Sequence, residues 1–137
     1  MIRAFYKPSK NGIFQEVSDF RKGTWIQVTD ATAHDLDQIM EITDIDYTHL
    51  KDSLDRYELP RVEQEDGNIL LFTRHPSTEE HGLYTTVLTI ILTSDYFITI
   101  SLQKNDLLEP ILQGEWRISS MQTSKLLFHI LLKITHN

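Results

Sequence analysis

Nine carboxylates stand between Asp30 and Glu58, opposed only by Lys51 and Arg56. Acids and bases balance elsewhere, so this one segment carries the entire formal charge of −7. Carboxylate oxygens are hard donors that suit Mg²⁺ and Ca²⁺. One-sided charge also draws cations and basic partners by its long-range field. Within the run, Asp52 and Asp55 are three residues apart. On a helix that spacing makes them surface neighbours, and their mutual repulsion would be relieved by a cation or a base. The plainer alternative is a pair of solvated helices kept soluble by their acids.

Other chemistries find little support. The chain has no cysteine, which removes disulfides, thiol catalysis and thiolate metal sites. There is no Gly-x-Ser-x-Gly elbow and no His-Glu-x-x-His pair. The glycines, at 12, 23, 67, 82 and 114, form no phosphate-cradling loop. His129 and His136 would sit roughly 10 Å apart along one helix, too far to share an ion. His75, Glu79, Glu80 and His81 fall in one loop, where a solvated hairpin tip is the simpler reading. The sequence therefore gives no ground for expecting an enzyme. A pI near 5.2 argues against broad nucleic-acid binding.

The surrounding pattern says what must position the acids. Ile2–Tyr6 and Ile13–Val17 read as strands around a Ser9–Gly12 turn, and Thr24–Val28 as an alternating strand. Thr32 with Asp35 makes a capping box ahead of a helix carrying Leu36, Ile39 and Met40. A second helix is expected from Asp46 to Leu59-Pro60, with Tyr47, Leu50, Leu54 and Tyr57 on its inner face and Asp52 and Asp55 outside. Arg61–Glu65 and Asn68–Arg74 flank Asp66-Gly67, a strong hairpin signal. Leu83–Thr93 and Tyr96–Ile100 follow as strands, the first apolar on both faces and so covered on both. Asp106 is placed to cap a helix over Leu107–Gln113 that Gly114 ends, and a last helix runs from Ser120 or Thr123 to about His136.

At 137 residues with 40% hydrophobic content, this is one domain, residues 1–137. The expected fold class is α/β, a mixed sheet sandwiched between helices. No stretch approaches the about 20 apolar residues of a membrane span, and the N-terminus lacks the apolar core of a secretion signal. The last helix is apolar nearly all round and calls for burial on more than one side. The expectation is accordingly a fragment of a longer chain.

One order of motifs is more specific than any single motif in it. Thr24-Trp25-Ile26-Gln27-Val28 precedes an Asp30-Ala31-Thr32 turn and an acidic helix. Leu50-Lys51-Asp52-Ser53-Leu54 and Pro60-Arg61-Val62-Glu63 follow, and then Leu88–Leu92 and Tyr96–Ile100. From about Thr24 onward the chain resembles the cytosolic N-terminal domain of the CorA family of divalent-cation transporters. The resemblance implies an α/β/α domain truncated before the stalk and membrane helices. Its partners would be other copies of itself in a homopentamer together with the absent stalk and membrane helices, and its place the cytoplasmic face of the cell membrane. It implies a regulatory Mg²⁺ between neighbouring subunits, with Zn²⁺ and Co²⁺ left open. By its place in Leu-x-Asp-x-Leu, Asp52 matches the family's regulatory aspartate, and Asp55 is a second candidate ligand. Lys51 stands where some members carry an acid and is a candidate inter-subunit contact. The competing reading is a stand-alone acidic α/β module that binds a basic partner and has no transport role.

Overall fold

The computed structural model describes residues 1–76, 85–103, 108–114 and 117–135. Seven strands form one sheet: β1 (Ile2–Tyr6), β2 (Gln15–Val17), β3 (Thr24–Val28), β4 (Arg61–Glu65), β5 (Asn68–Pro76), β6 (Thr85–Leu92) and β7 (Tyr96–Ser101). Their spatial order is β2-β1-β3-β7-β6-β5-β4. Only β3 and β7 pair in parallel; the other neighbours are antiparallel. The chain therefore leaves the middle of the sheet after β3 and crosses one face through helical segments. It re-enters at the far edge as β4, then meanders back until β7 lies beside β3.

The crossover begins with α1 (Ala33–Thr43). Its capping box forms as the sequence requires: Thr32 Oγ1 accepts from Asp35 N at 3.2 Å, and Asp35 Oδ2 accepts from Thr32 N at 3.1 Å. Asp44 closes the helix in the left-handed region at φ 61°. The expected second helix is much shorter than its apolar spacing suggests. α2 covers only Tyr47–Leu50, and a 3₁₀ turn takes over at Lys51–Leu54. Tyr57 consequently does not join an inner face; it is 78% exposed. A 3₁₀ turn advances 120° per residue rather than 100°, so the stripe extrapolated from Tyr47 still brings Leu54 against the crossover core but is lost by Tyr57.

The sheet separates two cores, which makes the domain three-layered, as expected. On the crossover side, Ile26, Ile98, Ile91 and Leu70 form one row of the sheet and Val28, Ile100 and Phe72 the next, under Leu36, Ile39, Ile45 and Leu50. On the other side Phe5, Trp25, Phe97, Ile90 and Leu88 pack under α3 (Glu109–Leu112) and α4 (Thr123–Thr135). Trp25 is fully buried, meets Phe14 and Phe97 edge-on at 5.3 and 5.8 Å, and donates from Nε1 to Thr99 Oγ1 at 3.0 Å. All of β3 is buried, because a central strand covered on both faces keeps its polar positions inside as well.

Smaller corrections are local. β2 starts at Gln15 rather than Ile13 and β5 runs on to Pro76; β6 is described from Thr85, and the expected start at Leu83 lies outside the described residues. The Asp66-Gly67 hairpin forms as expected, with φ of 49° and 82° at its two turn residues, the signature of a type I′ turn. The Asp106 cap, the Glu79–His81 part of the loop cluster and His136 lie outside the described residues. In α4, Leu126 and Ile130 are buried, whereas Phe128 is 60% exposed. No helix among the described residues is long and apolar enough to cross a membrane.

Candidate functional site

The short crossover helices set up the acidic flank. Asp46 caps α2, its Oδ1 accepting from both Thr48 N and Thr48 Oγ1 at 2.9 Å. Those bonds hold the Asp46 carboxyl below the usual range, the backbone bond contributing most. Leu50 and Ser53 then anchor the segment inward, both fully buried. With those two inside, Asp52 is turned half outward, toward the beginning of β4.

β4 is the edge strand of the sheet. Alternation along it places Arg61, Glu63 and Glu65 on the crossover side, and Val62 and Gln64 away from it. Arg61 is the centre of the resulting cluster. Its Nη2 donates to Asp52 Oδ2 at 2.6 Å, its Nε to Glu63 Oε1 at 2.9 Å, and its Nη1 to Glu58 Oε1. The guanidinium carbon lies 4.1 Å from the centroid of the buried Phe72 ring, across from Arg61 in the strand register. Beside it, His49 presents Nδ1 to Glu63 Oε2 at 3.6 Å and Nε2 to Glu65 Oε1 at 3.2 Å.

The electrostatics follow from this geometry. Burial alone would lower the pKa of Arg61, but the bonds from Glu63 and Asp52 outweigh it and raise it further. Its guanidinium in turn holds Glu63 below the usual carboxylate range, with His49 adding to the effect. Three carboxylates share one guanidinium, so the cluster around Arg61 keeps an excess of negative charge.

The candidate residues do not all converge. Asp52 belongs to the cluster. Asp55 is not on a helix face beside it, as expected from the longer helix, because the backbone is extended at Asp55 (φ −88°, ψ 108°). Its Oδ1 accepts from Tyr57 N at 2.9 Å, so it caps its own turn. Lys51 is exposed. Among the described residues, no group of three or more His, Asp or Glu side chains is arranged to hold a metal. The donor chemistry at Asp52 suits a hard cation, but the set is incomplete within one chain. Asp52 Oδ1 has no partner among the described residues, and one carboxylate can hold a hydrated Mg²⁺ only weakly.

Arg61 and Glu63 enter the sequence reading through the Pro60-Arg61-Val62-Glu63 motif, and Glu58 and His49 are not recognised there as their partners. The available signal was the i, i+2, i+4 run of charge at Arg61, Glu63 and Glu65. On a strand those residues share one face, and they need partners from the element packed above it.

Comparison with known proteins bears on the whole chain. The soluble domain of CorA from Methanocaldococcus jannaschii superposes with a TM-score of 0.77 at 25% identity, over 99% of this chain and 56% of that one. The complete CorA magnesium transporter of the same organism matches with a TM-score of 0.74 at 23% identity, over 99% of this chain and 44% of that one. The cytoplasmic domain of ZntB from Vibrio parahaemolyticus shares the fold, with a TM-score of 0.72 at 14% identity over 98% of this chain and 57% of that one. The chain thus spans about half the length of these solved chains. No curated protein is similar enough in sequence to count as a match. The family model described as CorA-like Mg²⁺ transporter protein matches residues 21–137, from just before β3 through both cores and the Asp52–Arg61 cluster, and the chain belongs to that family.

Proposed function

We propose that this domain is the ion-sensing, regulatory part of a transporter of Mg²⁺ or a related divalent cation, working on the cytoplasmic side of a membrane in a homopentamer. The observation that carries the reading is the placement of Asp52. It is partly exposed, it lies at the surface between a 3₁₀ turn and an edge strand, and among the described residues one of its oxygens has no partner. A cation held there would draw its remaining ligands from water and from protein outside this chain. Tyr57, Leu59 and Val62 are exposed in the segment that leads to this edge and suit contact with a neighbouring copy. Asp55 and Lys51, both exposed, would face that neighbour too.

In this mechanism the ion acts as a ligand for one arrangement of neighbouring subunits. It shifts the equilibrium only by its differential affinity for the closed and relaxed arrangements. Hydrated Mg²⁺ bridging Asp52 to an oxygen donor on another copy would favour the closed one, and its loss would relax it. The proper test is limited trypsin digestion of the intact protein. Added Mg²⁺ should slow cleavage of the wild type and not of Asp52→Asn. Equal protection of both would reject Asp52 as the sensor, and no protection of either would reject ion sensing altogether.

A further inference from the structure

Every nitrogen of the Arg61 guanidinium is committed to a different carboxylate. Nη2 holds Asp52, Nε holds Glu63, and Nη1 holds Glu58. The plane of the group is further fixed by the Phe72 ring beneath it. Arg61 and Asp52 are only 30% and 31% exposed, so the pair is less screened than an ordinary surface ion pair. A tethered positive charge therefore already sits on the carboxylate that the regulatory reading assigns to a metal ion.

The three-way bonding makes that contact exchangeable. If a cation took Asp52, Arg61 would still be neutralised by Glu58 and Glu63, so no buried charge would be orphaned. If the cation left, the guanidinium would be in place to neutralise Asp52 again. An arginine held by Asp52 alone would lack this property, because releasing it would leave the guanidinium without a carboxylate partner. We infer that Arg61 is a positioning residue that competes with the divalent cation for Asp52 and so sets the ion concentration at which the site fills. This rests on the regulatory reading of Asp52.

The consequence is a threshold. The apparent affinity for the ion is lowered by the stability of the Asp52–Arg61 contact. For a partly exposed pair that amounts to roughly a two- to fivefold effect. Geometry rather than charge alone is responsible. A lysine would keep the charge but could not bond three carboxylates from one rigid plane.

The test is an Mg²⁺ titration of the intact protein, followed by hydrogen exchange of the backbone amides over residues 46–65. Arg61→Gln should lower the Mg²⁺ midpoint about two- to fivefold, and Arg61→Lys should lower it by less, yet measurably. Unchanged midpoints in both variants overturn the inference. A fall with glutamine but none with lysine also overturns it, since Arg61 would then act through net charge alone. Should the glutamine variant fail to fold, the lysine variant decides. Asp52→Asn separates the two levels. If it abolishes the response while the Arg61 variants match wild type, competition fails and the regulatory reading stands. If it leaves the wild-type midpoint unchanged, both fail.

Discussion

Asp52 Oδ2 and Arg61 Nη2 are 2.6 Å apart, joining the 3₁₀ turn of the crossover to the first residue of the edge strand. This contact ties a local helix irregularity to the sheet. It also fixes the direction in which the Asp52 carboxylate points. Because the pair is partly screened, Asp52→Asn is expected to change stability by less than about 1 kcal/mol. Arg61→Ala removes three bonds and the stacking on Phe72, and should cost about 1–2 kcal/mol. Urea unfolding of both variants checks the ordering. A larger loss for Asp52→Asn than for Arg61→Ala would mean that Asp52 is chiefly structural.

Acid should weaken the same cluster. Glu63 titrates below its ordinary value of 4.5 because Arg61, and secondarily His49, favours its charged form. A depressed carboxylate gives stability that is fully present above the unfolded pKa. That stability is lost as pH falls through the lower, folded value. Stability should therefore decline on acidification below about pH 4.5, and Glu63→Gln should flatten that part of the curve. Urea midpoints measured from pH 6 to about pH 3 give the slope directly; identical slopes in the two proteins would exclude Glu63 as a contributor.

The opposite core offers a prediction independent of ions. Trp25 buries its indole N–H, whose one partner among the described residues is Thr99 Oγ1. Thr99→Val keeps the volume and leaves that donor unpaired, which should cost about 1–3 kcal/mol. Trp25→Phe removes the donor itself and trades that penalty for a partial cavity. The double variant should therefore lose less than the sum of the two single changes, as a double-mutant cycle by thermal or urea unfolding would show.

Two glycines with positive φ should respond differently to alanine. Gly67, at φ 82°, has open space where a side chain would go, so Gly67→Ala meets only backbone strain of about 1–2 kcal/mol. Gly114, at φ 83°, would place a Cβ 2.6 Å from the Gly12 carbonyl oxygen, a backbone atom that cannot swing aside. Gly114→Ala should be the more damaging of the two in the same unfolding assay.

The layering of the fold was legible because periodicity reports burial directly. The apolar Val87–Leu92 run predicted a strand covered on both faces, and β6 is one. The Thr32–Asp35 box and the Asp66-Gly67 turn are local signals, satisfied within a few residues. The site was less legible. Asp46–Tyr57 carries a plausible helical stripe, yet α2 gives way to a 3₁₀ turn after Leu50. The inward anchoring of both Leu50 and Ser53 and the pull of Arg61 on Asp52 are tertiary effects with no local signature. For the same reason Asp55 was misplaced on a helix face, when its side chain closes a turn on Tyr57. His49 was missed because its partners Glu63 and Glu65 lie on β4, beyond the crossover segment, and Glu58 because its bond to Arg61 spans an irregular stretch with neither helical nor strand spacing.

In the proposed mechanism Asp52 couples divalent cation to the state of the assembled protein. The direct measurement is Mg²⁺ flux into vesicles containing the intact protein, with Mg²⁺ varied on the side that this domain faces. Wild type should be throttled as that Mg²⁺ rises, and Asp52→Asn should keep conducting at concentrations that shut the wild type. Equal throttling of the two proteins, or no Mg²⁺ flux through either, would contradict the account.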